Sequence, residues 1–485
     1  MAIPTRTTPA TDLRRAVAAR RVGFYATAGG ALGTSAIVML VAQGRTKDVQ
    51  ALVGAAIFVG LVAGFITAPW VMVAVLIPVF VIIPTLKVFV APLFGGMKDV
   101  MTFAALAAAL IMSLQRRVAK RPARIDRVVV ALLVGIVLLY VANVGGMIGS
   151  GSSHGSAWAQ GTRLFGEPLA LLFAALSFRE PARTFRSAQR ALIVTAAVVA
   201  GYGLLQQALG INGLLGLGYT YGVQVRQIGS HLRSFGTLDD SFLYSSFLLI
   251  AIAAVLLGPR LTRSGYFVLA LLAAGTFVAY VRTAAVVGML VVGLALGRRG
   301  HASAAATMVV AAICVASVAL LLASEQASTR TVNVDPNTYL TLNGRTKVWE
   351  EQLGKPHAWP FGQGVGATGT AAVRAQQSLT GKRQIGTATK ATVIDSGYFT
   401  IISDIGFVGL AVFLALLGRL AILGRHAIRR GDRDGWLVIG FVAVLATDAL
   451  SREAFTGYPS GYLAMLLAGL GCAATVEAAA TRLRP

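Results

Sequence analysis

Long apolar runs separated by short polar loops recur along the whole chain. A run of about 20 apolar residues suits a helix that crosses a bilayer. Such runs lie near 23–42, 49–67, 69–85, 99–114, 128–145, 163–178, 190–209, 241–258, 265–281, 283–297, 304–323, 398–418, 435–449 and 460–477. The pattern predicts an all-α polytopic integral membrane protein with about fourteen transmembrane helices. Pro69, Pro78 and Pro84 fall in the third run and residues 85–97 stay apolar beyond it, so a bent or re-entrant piece is expected there. Residues 265–297 are too long for one span and carry Arg282 midway. Two short helices with a turn at Arg282 are expected, because an arginine at the bilayer centre costs about 2.5 kcal/mol or more.

One long polar segment breaks this pattern. Residues 324–397 contain Gly344-Arg345-Thr346-Lys347-Val348-Trp349-Glu350, then Trp359-Pro360-Phe361-Gly362-Gln363-Gly364-Val365-Gly366, and end in Asp395-Ser396-Gly397 at the start of a very hydrophobic run. Loops beyond about 15 residues are usually functional or disordered, and this one reads as the roof of a site at a membrane surface. The expected organisation is a basic arm at 1–22, membrane helices over 23–323, the long loop at 324–397, membrane helices over 398–477 and a short tail at 478–485.

Composition sharpens the class. The 485 residues are 56% hydrophobic and only 13% charged, with a mean hydropathy of +0.72. Soluble proteins average about a quarter charged residues. The net charge of +24 would suggest nucleic acid if it were concentrated on one face. Instead most of it sits in short loops, so no nucleic-acid partner is expected. Arg14, Arg15, Arg20 and Arg21, the run from Arg116 to Arg127, Arg179 to Arg190, Arg260 and Arg263, Arg298 and Arg299, and Arg419 to Arg433 all fall on one side when the spans alternate. The positive-inside bias then puts both termini in the cytoplasm of a multi-pass cytoplasmic-membrane protein and the 324–397 loop outside. Cys314 and Cys472 lie in apolar runs and say nothing of disulfides. The first residues read as a polar arm rather than a cleavable leader.

Arg233, Arg282 and Arg345 stand at the external edges of spans. Arginine keeps its charge and offers a planar fork that fits phosphate oxygens, so several converging there would hold a lipid diphosphate. Each alone is also explained by a side chain snorkelling to the interface, most readily Arg233 and least Arg345. Asn343 or Gly344 can cap a short helix that puts Arg345, Trp349 and Gln352 on one face. Asp395 can act on an acceptor hydroxyl as a general base, or cap the helix that starts at Ser396, and the two roles are compatible. Asp404, inside a span, is expected to be functional or paired. Asp448 either supports the site or pairs locally with Arg452.

Other patterns carry no chemistry. Gly364-Val365-Gly366-Ala367-Thr368-Gly369 matches GxGxxG but has no preceding buried strand, so it is not read as a dinucleotide site. Asp432-Arg433-Asp434 reads as solvated charge in a short turn. His154, His231, His301, His357 and His426 show no metal-ligand spacing, and neither metal nor cofactor is expected.

The order of Arg-Ser-Phe-Gly-Thr at 233–237, Val-Arg-Thr-Ala at 281–284, the two loop segments above and Asp-Ser-Gly-Tyr-Phe-Thr-Ile-Ile-Ser-Asp-Ile-Gly at 395–406 resembles the O-antigen ligase and O-antigen polymerase superfamily. The resemblance covers roughly residues 190–475. It implies a C-type membrane glycosyltransferase that moves a glycan from an undecaprenyl-diphosphate carrier to a hydroxyl of a glycan or glycolipid acceptor. It also implies that Arg282 and Arg345 hold the diphosphate. Ligases of this superfamily typically carry a histidine where this chain has Asp395, and that departure favours a polymerase-like member. Asp448 matches the place of a further acidic residue. Trp349, Trp359 and Tyr398 would line the sugar path, although core packing also accounts for them. The competing readings are a transporter or flippase of lipid-linked sugars, which would be expected to show paired half-repeats, and a membrane scaffold, which would not require arginines at separate external edges.

Overall fold

A computed structural model describes residues 46–118, 125–144, 155–228, 231–258, 261–299, 349–350, 354, 360–380 and 396–482. Within these residues the architecture is helical apart from one two-stranded hairpin. The helices are α1 (Thr46–Thr67), α2 (Pro69–Phe89), α3 (Met97–Val118), α4 (Arg127–Ala142), α5 (Gly155–Ser177), α6 (Pro181–Gly216), α7 (Ser241–Leu256), α8 (Arg263–Phe277), α9 (Arg282–Arg299), α10 (Gly369–Thr380), α11 (Gly397–Arg429), α12 (Asp434–Asp448) and α13 (Ser460–Arg482). Strands β1 (Arg226–Ile228) and β2 (His231–Arg233) lie between α6 and α7. The runs expected at 23–42 and 304–323 lie outside the described residues.

Among the described residues five helices are long and apolar enough to cross a membrane: Pro69–Phe89, Phe94–Arg116, Pro181–Gly216, Gly397–Arg429 and Ser460–Ala479. Shorter apolar helices include Val53–Thr67, Arg127–Ala142, Ser241–Leu256 and Arg263–Phe277. These are the helices of an all-α membrane protein. Several run past their apolar stretch: α6 begins at Pro181 and α11 continues to Arg429. Arginine is a good helix former, so nothing ends these helices where the apolar residues do.

In the proline-rich third run Pro78 and Pro84 both sit inside α2, which continues to Phe89, and a single 3₁₀ turn at Pro92–Gly96 leads into α3. Residues 85–97 are therefore the end of a helix followed by a turn. At Arg282 the expected break is present, with α8 ending at Phe277 and α9 beginning at Arg282.

The chain divides into two compact units, Met1–Ala63 and Gly64–Pro485, and everything below concerns the second. Polar contacts sort its helix ends into two sets. At one end Arg116 donates to the Ser177 carbonyl (2.9 Å), Arg419 to the Asp126 carboxylate (2.6 Å), the Ala182 amide to Glu477 (3.3 Å) and Arg298 to the Gly258 carbonyl (2.5 Å). This is the end rich in arginine. At the other end Thr85 donates to the Thr237 carbonyl (2.8 Å), Ser234 N to Val278 O (3.0 Å), Asn143 to Phe361 O (2.9 Å) and Tyr398 to Ala446 O (2.7 Å). From α2 to α9 and from α11 to α13 consecutive helices thus alternate in direction; the described parts of the arginine, tryptophan and glycine motifs lie at the second end, and Asp432-Arg433-Asp434 lies at the first.

Candidate functional site

The Arg-Ser-Phe-Gly-Thr motif is a turn clamped onto the bundle residue by residue. Buried Gln206 of α6 accepts from the amides of Phe235 (3.0 Å) and Gly236 (2.9 Å) and donates to the Gly236 carbonyl (2.9 Å). Gln207 donates to Leu232 O (2.9 Å) and to Ser234 Oγ (2.7 Å), and Ser234 Oγ donates to Gly203 O (2.7 Å). Phe235 fills a small core with Leu214, Tyr219, Val225 and Leu232. Gly236 holds φ +57°, where a β-carbon would press on Tyr244 and Val199. Thr237 Oγ1 donates to Val81 O (2.9 Å). With its neighbours fixed in this way, Arg233 has little freedom in where it sits.

Arg233 lies directly opposite Arg226 in the antiparallel register of the hairpin. Its Nε donates to Ala279 O (3.3 Å), and its guanidinium lies over the Phe242 ring, 4.6 Å from the centroid. Burial is the main reason this guanidinium is pushed down to about 10, with the charge of Asp240 opposing and those of Arg226 and Arg282 adding. It remains charged at neutral pH. The structure thus brings two sequence-predicted arginines, Arg233 and Arg282, within electrostatic reach and adds Arg226. Like charges directly opposite in a hairpin are destabilising, and a basic cluster of this kind is suited to an anion.

The turn between α8 and α9 carries a local strain. Tyr280 adopts φ +51°, a left-handed conformation that a non-glycine residue enters at about 1–2 kcal/mol. The strain sits in the segment that supplies Ala279 O to Arg233 and leads into Arg282. The Tyr280 ring stacks against His231 (5.6 Å, 23°) and packs on Phe277 (5.9 Å).

A second group surrounds the start of α11. Trp349 stacks on Phe399 (5.1 Å, 11°), and its buried Nε1 has no hydrogen-bond partner among the described residues. The Gly397 amide donates to the carbonyls of Ala449 (2.9 Å) and Arg452 (2.8 Å), fixing the α12–α13 turn against this helix start. Tyr398 packs edge-on against Phe455. Asp448 is 4% exposed; Arg452 donates to its Oδ2 (2.8 Å from Nε), and so does Ser246 of α7 (2.5 Å). The local pairing with Arg452 is thus present. Glu453 accepts from the Thr370 amide at the start of α10 (3.0 Å). Asp395, Trp359 and Arg345 lie outside the described residues.

One face of α7 joins the two groups. Phe242 beneath Arg233 and Ser246 beside Asp448 are four residues apart, hence on the same helix face and about 6 Å apart along its axis.

The remaining motifs explain how this end is held. In α11, Ile405 (φ −134°) and Gly406 (φ +70°) break the helix, and the backbone groups this frees are taken by the glycine-rich segment. Gln363 N donates to Ser403 O (2.6 Å), Val408 N to Pro360 O (3.3 Å), Gly366 N to Asp404 Oδ1 (2.9 Å) and Thr368 to Ser403 Oγ (2.9 Å). Asn143 of α4 donates to both Phe361 O and Asp404 O (2.7 Å). Gly362, Gly364, Gly366 and Gly369 all hold positive φ. The GxGxxG-like run is therefore a strap tied to a broken helix, and Asp404 is one of its anchors.

Sequence reasoning missed one cluster. Lys98 of α3 is 6% exposed and Glu167 of α5 is 1% exposed, and the two are ion-paired. Asp99 contacts Lys98 (2.6 Å) and Arg163, Arg163 donates to Glu167 (3.1 Å), and Tyr462 of α13 donates to Glu167 (2.5 Å). Among the described residues no group of His, Cys, Asp and Glu is arranged to hold a metal ion.

No family model matches the chain. No curated protein matches it either.

Proposed function

We propose that this protein is a glycosyltransferase of the cytoplasmic membrane that takes a glycan from an undecaprenyl-diphosphate carrier and passes it to an acceptor hydroxyl at the outer face. The observation that carries the reading is the cluster of Arg226, Arg233 and Arg282, with Arg233 one helical turn along α7 from Ser246 and the buried Asp448–Arg452 pair. Displacement at the anomeric carbon leaves a diphosphate, and fixed guanidinium groups stabilise the charge that develops on it. Arg345 completes the cation set and Asp395 prepares the incoming hydroxyl from the opposite face of the sugar, giving inversion without a metal. The aspartate at this position favours a polymerase-like enzyme, with an oligosaccharide as acceptor, over a ligase. About fourteen spans, cytoplasmic termini and an external 324–397 loop complete the topology we propose.

Carrier transport remains the competing reading, and the break in α11 is the feature that favours it, since transporters place discontinuous helices at their sites. The groups freed by that break are bonded by the 360–368 strap, which suits a fixed support better. The test is glycan transfer from a synthetic undecaprenyl-diphosphate oligosaccharide by the purified protein and its Arg282→Ala, Arg345→Ala and Asp395→Ala variants. Longer carrier-linked chains that disappear in Arg282→Ala and Arg345→Ala are expected. Carrier movement across liposomes without any product would overturn the enzyme reading.

A further inference from the structure

Tyr280 is the residue at this end whose backbone argues against its own identity. The left-handed conformation it holds belongs to glycine by sterics, and asparagine tolerates it, whereas a bulky aromatic residue is rarely found there. A residue kept in a strained conformation points to a use for its side chain. Local backbone bonding gives no reason for an aromatic here, since the Tyr280 amide donates to Phe277 O (3.0 Å) and any residue other than proline would do the same.

The ring itself is half-buried: His231, exposed on β2, stacks against it (5.6 Å, 23°) and Phe277 packs on it at a tilt (5.9 Å, 46°). These rings are neighbours in the chain of the basic cluster. His231 is two residues before Arg233, Tyr280 is two residues before Arg282, and Ala279, next to Tyr280, accepts from Arg233. A pyranose presents an apolar face of C–H groups, and these carry partial positive charge that suits the negative face of an aromatic ring. A sugar joined to a diphosphate held by Arg233 and Arg282 would start beside the chain positions that carry these rings.

Resting on the diphosphate reading above, we infer that Tyr280, flanked by His231, is the platform for the first sugar of the carrier-linked glycan. It is a binding and specificity residue that takes no proton and forms no bond. It gives the site a preference for glycan-loaded carrier over the spent carrier diphosphate that must leave after transfer.

The two properties of Tyr280 can be separated by substitution. Tyr280→Gly and Tyr280→Asn keep the left-handed backbone and remove the ring, and Tyr280→Phe keeps the ring. Binding to the purified full-length protein is measured for bare undecaprenyl diphosphate and for undecaprenyl-diphosphate glucose, galactose and N-acetylglucosamine, with thermal unfolding as the control for folding. The wild type is expected to bind at least one loaded carrier about tenfold more tightly than the bare one. Tyr280→Phe should keep that ratio, and Tyr280→Gly and Tyr280→Asn should bring it to about one with bare-carrier affinity unchanged. A ratio that survives in Tyr280→Gly overturns the platform alone. A parallel loss of bare-carrier binding also overturns it, because the residue then serves only to place the arginines. Failure of the wild type to bind either form overturns the diphosphate reading and the platform with it.

Discussion

Arg226 and Arg233 stand directly across from each other in a hairpin of three-residue strands, with the charge of Arg282 also acting on Arg233. Cross-strand like charges destabilise by a few tenths of a kcal/mol up to about 1 kcal/mol. Replacing Arg226 by threonine, a good strand former, should therefore raise the melting temperature of the anion-free protein, by about 0.5 kcal/mol in stability. With inorganic pyrophosphate the order should reverse. An anion bound at a hundred times its Kd adds about 2.7 kcal/mol to the protein that binds it, and Arg226→Thr should lose much of that gain. Equal stabilisation of both proteins by pyrophosphate would remove the hairpin from the anion site.

The strap on α11 makes a sharper demand on two positions. Asp404 Oδ1 is the acceptor for the Gly366 amide, so Asp404→Ala leaves a buried N–H unpaired at about 1–3 kcal/mol. Asp404→Asn keeps an acceptor in place and should lose less than half as much. Gly406→Ala should be worse than either, because its φ of +70° excludes a β-carbon, which would run into the Pro360 carbonyl. Thermal unfolding, with limited proteolysis of the 360–380 segment, ranks the three. If Asp404→Asn proved as damaging as Asp404→Ala, the carboxylate would be serving through its charge and not as a hydrogen-bond acceptor.

The strap also shows where the sequence could be read and where it could not. Helices over 49–67 through 283–297 and over 398–418 through 460–477 follow from apolar length, because a chain in lipid must satisfy its backbone internally. Length says nothing of partners. In helices that are apolar all round there is no polar face to show which side meets which neighbour, so Lys98 with Glu167, or Gln206 with Phe235, cannot be found from spacing. The glycines at 362–369 were visible, but the reason for them is a broken helix more than thirty residues on. Arg233 and Arg282 were each legible as the edge of an apolar run. Arg226 was not, because its place depends on the register of a hairpin that no long alternating pattern announces.

At the arginine-rich end, Asp126 caps α4 by accepting from Val128 N (3.0 Å) and Val129 N (3.1 Å), and it also binds Arg419 of α11 (2.6 Å). The hydrogen bonds from Arg419 are the main reason its carboxyl lies below the usual carboxylate range. A lowered folded-state value adds stability that is present above the unfolded value of about 3.9 and is lost as pH falls through the folded one. Asn at this position still caps the helix but cannot ion-pair. The gap in melting temperature between wild type and Asp126→Asn should therefore be open at about pH 7 and close below about pH 4. A gap that persists unchanged into acid would mean that the Arg419 contact contributes through shape alone.

The Lys98–Glu167 pair is a case in which removing two groups should harm less than removing one. Glu167 is almost fully buried and accepts from Lys98, Arg163 and Tyr462, so it ties α3 and α13 to α5. Charges taken from water pay a desolvation penalty that their mutual attraction only roughly offsets. Breaking such a pair leaves one charge uncompensated and typically costs about 3–5 kcal/mol. Lys98→Met should fall in that range. Glu167→Gln on top of it removes the orphaned charge and keeps an acceptor for Tyr462, so the double variant should recover a large part of the loss. Thermal unfolding of the four proteins in a double-mutant cycle measures the coupling. Losses that simply add would mean that Arg163 and Asp99, which are more exposed, already neutralise Glu167, and that Lys98 is held there by its packing on the Tyr458 and Tyr462 rings.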